Sequence, residues 1–406
     1  WLLNGIANGV SVGFVGSHTP HLSRNLISAS QHPLIISSEL EKEVAAGRVL
    51  GPFEHIPTPS FRSSGLGAIP KKNGRWRMIL HLSAPYGRSV NDGIHKGQFP
   101  IHYATVDDAV DLISRFGKGA ILAKVDLKAA FRMVPIHPDD WDLLGMQWQG
   151  NFYMDTCLPF GLRSAPFLFN QFAEALHWIL HTNHHVDAVH YLDDFLIVGS
   201  PGADQCASSV QVTLRVCERL GIPVAMDKLE GPATCISFLG IMLDSEAQTL
   251  SLPQDKLEDI LHRVHSWLGR RSATKRELLS LIGRLSFASK VVPAGRLFLR
   301  RLIDLSTTVE RLHHHIRLCP EAKADLAWWA RFLPSWNGRA MFLDPEWSTA
   351  DSLHLFTDTS GYPTKDYRTT LSNGMQDLFA ILAAASIWHN IGLQVSGSLS
   401  TAIIWQ

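Results

Sequence analysis

From about Phe61 onward, apolar and polar positions alternate in a way that divides the chain into short strands and amphipathic helices. Arg75–Leu82 reads as a strand after a Lys-Asn-Gly turn. Residues 105–116 place Val106, Ala109, Val110, Ile113 and Phe116 on one helical face, with Thr105 and Asp108 positioned to cap it. Ala120–Val125 reads as a short buried strand that ends at Asp126. Ala165–Leu180 predicts a helix with Leu168, Phe172, Leu176 and Ile179 in line. Val186–Tyr191 and Phe195–Val198 predict two apolar strands joined across Leu192-Asp193-Asp194. Ala203–Leu220 predicts a helix with Cys206, Val210, Leu214, Cys217 and Leu220 inward and Gly221 as its stop. Strand, helix, hairpin, helix and further strand is the order of a split βαβ sheet.

After residue 250 the pattern turns helical. Leu257, Ile260, Leu261, Val264 and Trp267 form one stripe. Thr274-x-x-Glu277 is a capping box that opens the next helix, with Leu278, Leu281 and Leu285 inward. Leu353–Phe356 reads as an apolar strand running into Asp358. Residues 1–60 are weakly patterned and are expected to wrap or lead into the main domain, with Pro52, Pro57 and Pro59 marking a linker.

Composition adds little beyond a globular balance of 46% hydrophobic and 18% charged residues in 406. That length suits two or three domains. The sequence begins with Trp1, so it is expected to be part of a longer product. No basic leader precedes an apolar run, and no apolar stretch approaches the roughly 18–20 residues that span a bilayer. The expected setting is intracellular, cytoplasm or nucleus, neither secreted nor in a membrane. Five scattered cysteines without a Cys-x-x-Cys spacing fit a reducing compartment and argue against a zinc ribbon or a disulfide frame.

Charge changes the picture more. The net charge is zero, yet Arg263–Arg301 holds ten Lys or Arg against Glu277 alone, and Phe61–Pro100 holds seven against Asp92 alone. Basic segments on either side of an acid-bearing middle suit a protein that holds phosphates at its edges and cations at its centre. Solvated surfaces would look the same.

The candidate chemistry lies in that middle. Asp193 and Asp194 sit at a tight turn between apolar strands, where adjacent carboxylates are costly to leave unpaired. Asp126 ends a third strand. Read singly, these are a solvated hairpin turn and a helix N-cap. Read together, they can complete a two-metal site, in which ions about 3.5–4 Å apart stabilise the attacking and leaving oxygens of a phosphoryl displacement. His184-His185 and His313-His314-His315 lack Cys or carboxylate at zinc spacing and are read as surface residues.

Asp126-x-x-x-Ala130-Phe131, Leu158-Pro159-Phe160-Gly161-Leu162-x-Ser164-Ala165-Pro166, Tyr191-Leu192-Asp193-Asp194 and Phe238-Leu239-Gly240 occur in the order and spacing of reverse transcriptase motifs. Lys71-Lys72-x-Gly74-x-Trp76-Arg77 stands ahead of them. Ser89-Val90-Asn91-Asp92-Gly93, Leu192-Asp193-Asp194-Phe195-Leu196, Ser280-Leu281-Ile282-Gly283-x-Leu285-x-Phe287 and Gly295-Arg296-x-Phe298-x-x-Arg301-Leu302 resemble the DIRS-like, tyrosine-recombinase retrotransposons more narrowly. The resemblance covers roughly residues 20–305.

The resemblance implies an α/β (α+β) right-hand polymerase, with fingers, a split βαβ (ferredoxin-like) palm and a helical thumb. Its expected divisions are an N-terminal extension over 1–50, fingers and palm over 51–245, thumb and connection over 246–345, and a partial ribonuclease H-like segment over 346–406. It implies an RNA-directed DNA polymerase that uses two Mg²⁺ ions, with Mn²⁺ as an alternative. Expected partners are an RNA template, a DNA primer, RNA–DNA hybrid and dNTPs.

By the same resemblance, Asp126 and Asp193 are the metal-binding carboxylates and Asp194 the third acid. Phe131 is the steric gate against a 2′-hydroxyl. Lys72, or Lys71, and Arg77 hold the triphosphate, and Phe160 and Gly161 pack against nucleotide and template. Retroviral relatives tend to carry Gln at the position of Phe160, so a side-chain amide contact is expected to be missing. Lys228 matches a proton donor to pyrophosphate, and Phe238, Leu239 and Gly240 match the primer grip. The basic helices, with Arg270, Arg271, Lys275 and Arg276, match a thumb that tracks the duplex backbone. Asp358 matches the first ribonuclease H carboxylate and Asp377 stands where a Glu is expected. The third acid is missing near Gly397, so this segment is read as truncated, altered or decayed. The competing readings are a decayed or domesticated retroelement protein that binds nucleic acid without catalysis, and an RNA-dependent RNA polymerase, for which a bulky Phe131 is unsuitable.

Overall fold

A computed structural model describes residues 1–70, 74, 76–338 and 340–341. Lys71, Lys72, Asp358 and Asp377 lie outside the described residues. The described residues divide into two compact units, Trp1–Leu112 with Leu122–Ala233, and Ile113–Ile121 with the described residues that follow Ala233.

The first unit is built on the expected split βαβ arrangement. Four strands lie in the order Glu230–Ala233, Ile121–Asp126, Asp194–Gly199, Ala188–Tyr191. Numbered along the chain this is the spatial order 4-1-3-2. The helices Ala165–His184 and Gln205–Arg219 pack on the two hairpin strands and on each other. The sequence dictates this directly. Phe195, Leu196, Ile197, Val198 and Gly199 are all buried, so this strand is covered on both faces and needs a continuous apolar run. The Ala188–Tyr191 strand buries only Ala188 and His190, the alternation of a strand with one face covered.

The helix faces differ slightly from the sequence pattern. Leu168, Phe169, Ala173, Leu176 and Leu180 make the buried stripe of the first helix, with Phe172 and Ile179 at its margins. That helix runs to His184 and stops at His185, which takes a left-handed φ of 54°. In the second helix Cys206, Val210, Thr213, Val216 and Cys217 are buried, but Leu220 is exposed. The helix ends at Arg219, so Leu220 no longer follows the inward period. The helix Val106–Phe116 is capped as its sequence implies: Thr105 and Asp108 exchange side-chain-to-backbone bonds.

The same unit holds a five-stranded sheet of His21–Leu22, Arg62–Ser63, Gly145–Trp148, Asn151–Asp155 and Val49–Phe53, and the hairpin Gly65–Pro70 with Trp76–His81. The N-terminal segment is woven into this unit. Val10 and Val12 are buried, the Val12 N–H donates to the Asp140 carboxylate at 2.8 Å, and the Ser164 hydroxyl donates to the Val12 carbonyl. The helix Pro33–Ala45 buries Ile36 and Leu40 against the Val49–Phe53 and Trp76–His81 strands.

The second unit starts with the hairpin Cys235–Phe238 and Ile241–Asp244, extended by Thr249–Ser251 and Ala340–Met341. Helices Gln254–Leu268, Lys275–Ala288, Arg300–Thr307 and Pro320–Trp336 follow. The capping box at Thr274 and Glu277 forms as expected. The core is a stripe of Leu257, Ile260, Val264 and Trp267, with Leu278, Leu281, Leu285 and the fully buried Trp329. Gly295 makes room for that indole: a Cβ there would stand 2.2 Å from a Trp329 ring carbon. No described helix is long and apolar enough to cross a membrane.

Candidate active site

Asp126 stands at the end of its strand and is 7% exposed. Tyr191 pairs with Asp194 across the hairpin, leaving Leu192 and Asp193 as a two-residue turn. Leu192 takes a left-handed φ of 55° at its first position. That conformation costs a leucine about 1–2 kcal/mol and is held by its surroundings. The Leu127 N–H donates to the Asp193 carbonyl at 2.9 Å, and the Ala225 N–H donates to the Asp126 carbonyl at 2.8 Å. Three chain segments are thereby stitched together at one end of the sheet. Outside it, Tyr103 stacks on Tyr191 with centroids 5.0 Å apart.

The carboxylates interact in pairs, without one oxygen from all three closing within 4.8 Å of the others. Asp194 and Asp126 share a side-chain hydrogen bond. Burial first, then the neighbouring Asp193 and Asp126, push the Asp194 carboxyl up to about 6. Burial and the Asp126 charge also raise Asp193 above the usual carboxylate range. The Lys228 ammonium donates to both Asp126 oxygens at 2.9 and 3.0 Å, and this bond is the main reason its pKa is raised.

This donor set fits divalent cations. It is all carboxylate oxygen, the type preferred by Mg²⁺ and Mn²⁺. Asp193 and Asp194 are held back from ionising by burial and by neighbouring carboxylates, a repulsion that a bound cation removes. Asp126, Asp193 and Asp194 are the residues that would hold such ions.

Beside the acids lies an aromatic group. Ala129 adopts a left-handed φ of 60° and turns the chain into a short 3₁₀ segment, Ala130–Met133. Phe131 projects from it, half-buried, and meets Phe160 and Phe169 edge-on at 5.1 and 5.4 Å. Phe160 is 49% exposed and the Arg77 guanidinium lies 5.8 Å from its ring centre. The predicted nucleotide-site residues Arg77, Phe131, Phe160 and Gly161 are thus one cluster.

Two positioning residues were not assigned from sequence. Arg132 pairs with Glu43 at 2.8 Å and Asp155 at 2.6 Å, and donates to the Cys157 carbonyl, which fixes the turn that carries Phe131. Asn91 donates to the Gly161 carbonyl at 2.8 Å and accepts from the Arg163 N–H at 2.7 Å, bracing the Phe160–Gly161 loop. Asn91 stood inside a recognised motif, but its partner is 70 residues away. The arginine beside Phe131 carried no pattern at all.

The remaining predicted residues belong to the second unit. Phe238 is fully buried, and Leu239 and Gly240, at φ 48° and 76°, form the two-residue turn that follows it. The Lys256 ammonium donates to the Gly240 carbonyl at 3.0 Å and lies over the Phe287 ring. A Cβ at position 240 would meet that ammonium at 1.8 Å. The four duplex candidates differ. Arg270 pairs with Glu277 at 3.0 Å and packs on Trp267, and Lys275 donates to the Val309 carbonyl at 2.7 Å. Arg271 and Arg276 are exposed.

Residues 69–243 match the family model described as Reverse transcriptase (RNA-dependent DNA polymerase). The chain is 26% identical over 227 residues to the Pro-Pol polyprotein of feline foamy virus, covering 55% of this chain and 17% of that protein. It is 25% identical over 211 residues to the Gag-Pro-Pol polyprotein of Mason-Pfizer monkey virus, covering 49% and 11%. It is 21% identical over 225 residues to the Tf2-3 transposon polyprotein of Schizosaccharomyces pombe, covering 55% and 15%. The chain therefore spans less than a fifth of these relatives. In fold it resembles a foamy viral protease-reverse transcriptase solved with dsDNA, at a TM-score of 0.63 and 17% identity, covering 95% of this chain and 77% of that one. The same viral protein solved with an RNA/DNA hybrid gives a TM-score of 0.60 at 19% identity, covering 82% and 40%. Residues 69–243, which carry Asp126, Asp193 and Asp194, form a reverse transcriptase domain of the kind found in retroelement polyproteins.

Proposed function

We propose that the chain is an RNA-directed DNA polymerase that adds deoxynucleotides to a primer 3′-hydroxyl by two-metal nucleotidyl transfer. The observation that carries this reading is the pairwise interaction of Asp126, Asp193 and Asp194 at one end of the sheet, with Lys228 on Asp126. Two Mg²⁺ ions, with Mn²⁺ as the alternative, would supply charge stabilisation at the attacking and leaving oxygens. The protein's own contribution is positional. The left-handed turn at Leu192 and the bond from Leu127 to Asp193 hold the acids in place. Phe131, braced by Phe160 and Phe169, restricts the space for a sugar. Arg77 offers a charge toward a triphosphate, and Lys228 holds a proton within reach of the acids.

The substrates follow from this chemistry: an RNA template, a DNA primer, the resulting hybrid, and dNTPs. Complexes of the foamy viral enzyme with dsDNA and with RNA/DNA hybrid support duplex as a ligand of this fold. The motifs at Ser89–Gly93, Ser280–Phe287 and Gly295–Leu302 support a DIRS-like retrotransposon as the source. Ribonuclease H activity is proposed to be absent, because the sequence offers Asp358 and Asp377 without a third acid. Free cysteines support an intracellular setting.

The deciding experiment is extension of a DNA primer on an RNA template with Mg²⁺. The wild type is expected to extend and Asp193→Asn to stop extension while hybrid binding remains. Hybrid binding without extension by the wild type would support the non-catalytic alternative instead. Free use of ribonucleotides would support an RNA polymerase.

A further inference from the structure

The first unit holds a second group of ligand-type side chains that the polymerase chemistry does not use. Glu174 and His177 stand three residues apart on the Ala165–His184 helix, and His190 lies on the Ala188–Tyr191 strand that the helix packs against. One ligand atom from each lies within 4.8 Å of the others. This is the one such group among the described residues. The His190 Nε2 and a Glu174 carboxylate oxygen are already 3.5 Å apart. Ligand atoms around a tetrahedral Zn²⁺, at bonds of about 2.0–2.1 Å, stand roughly 3.3 Å apart, so a small rotation of side chains closes the set.

The surroundings hold the two imidazoles in place. His190 is 7% exposed and turns its Nε2 toward Glu174, while its Nδ1 is buried without a hydrogen-bond partner. The ring is fixed by stacking on Phe195 at 4.9 Å. His177 hydrogen-bonds the backbone of Ala188, which commits one ring nitrogen and leaves the other as an acceptor. That is the usual arrangement of a metal-binding histidine, whose second nitrogen is oriented by a carbonyl. Asn170 donates to the Glu174 carboxylate at 3.3 Å. Glu174 is exposed and His177 half-buried, so solvent can deliver an ion and occupy a fourth position.

The geometry points to Glu174, His177 and His190 as a binding site for one borderline divalent cation of the Zn²⁺ class, separate from the Mg²⁺ acids. Two imidazoles and one carboxylate select Zn²⁺, Co²⁺ or Ni²⁺ over Mg²⁺. The ion would clamp the helix to the strand that ends two residues before Asp193. Its role is to stiffen the support of the catalytic turn.

The test uses the full, untagged chain with Asp193→Asn and Asp194→Asn, which removes two of the three competing acids and leaves Asp126 paired with Lys228. It is titrated with Co²⁺ and followed by visible absorption, then with Zn²⁺ by calorimetry and thermal melting. One equivalent of tight Co²⁺ with the absorption of a low-coordinate ion, displaced by Zn²⁺, is expected. Zn²⁺ is expected to raise Tm. His177→Ala and Glu174→Gln, both at accessible positions, should weaken binding by more than the about 10–100-fold that follows loss of an outer-shell partner. Both should keep the metal-free Tm within a few degrees. Absence of stoichiometric binding would overturn the site, as would binding unchanged in both variants or lost only on replacing His313, His314 and His315.

Discussion

The Lys228 ammonium sits 2.9 Å from one Asp126 oxygen and 3.0 Å from the other, bridging the carboxylate that ends the first strand of the sheet. The pair joins a residue from the Met226–Lys228 turn to the three acids and, in the proposed mechanism, places a proton where phosphate oxygens would be handled. Lys228→Met is therefore expected to slow single-nucleotide incorporation by about 100-fold or more, in line with general-acid contributions. Affinity for hybrid should be unchanged. The raised pKa of Lys228 means the proton is retained through neutral pH, so the variant should also lose the basic limb of the pH–rate profile. Pre-steady-state incorporation across pH measures this; an unaltered rate would leave the lysine a mere ion-pair partner.

Phe131 governs sugar choice in the proposed mechanism. Phe131→Val removes a ring that touches Phe160 and Phe169 but leaves the carboxylates untouched. Ribonucleotide incorporation should rise by at least tenfold relative to deoxyribonucleotide. Competing rNTP and dNTP at a single template position gives the ratio directly, and an unchanged ratio removes the gate assignment.

Asn91 braces the loop of Phe160 and Gly161 with two hydrogen bonds and is 5% exposed. Asn91→Ala removes both bonds from a part-buried pair of backbone groups, a loss of about 0.5–1.5 kcal/mol each. A lowered Tm together with a raised KM for dNTP is expected. A fall in Tm with KM untouched would confine Asn91 to a structural role.

Among the basic helices, the exposed Arg271 and Arg276 are the residues expected to meet phosphates. Replacing either with Gln should lower the log–log salt slope of duplex binding by about 0.9 and weaken all sequences equally. Lys275→Gln should act differently, lowering Tm, because its ammonium bonds the Val309 carbonyl. Filter binding over a salt series, alongside melting curves, separates the two effects.

The chain is expected to extend a primer without degrading the RNA of a hybrid. Mg²⁺ requires near-octahedral oxygen coordination, and two carboxylates supply too few ligands for two ions. Incubation of labelled hybrid with Mg²⁺ or Mn²⁺ tests this; cleavage that disappears in Asp358→Asn would show a working nuclease.

The sequence by itself determined the elements whose burial follows a period. Phe195–Val198 read as an apolar strand and Thr274 with Glu277 as a helix start, because those signals are local. The three acids were legible for a different reason: read singly they are a turn and a cap, but they stand in motifs whose order and spacing resemble those of reverse transcriptases. What tertiary structure alone decided are relationships across the chain. Lys228 reaches Asp126 over 102 residues, Asn91 reaches Gly161 over 70, and Arg132 reaches Glu43 over 89. No periodicity encodes such pairs, since a polar side chain looks the same in sequence whether it faces water or a buried partner. The same holds for His190, whose place beside Glu174 and His177 depends on how one strand meets one helix.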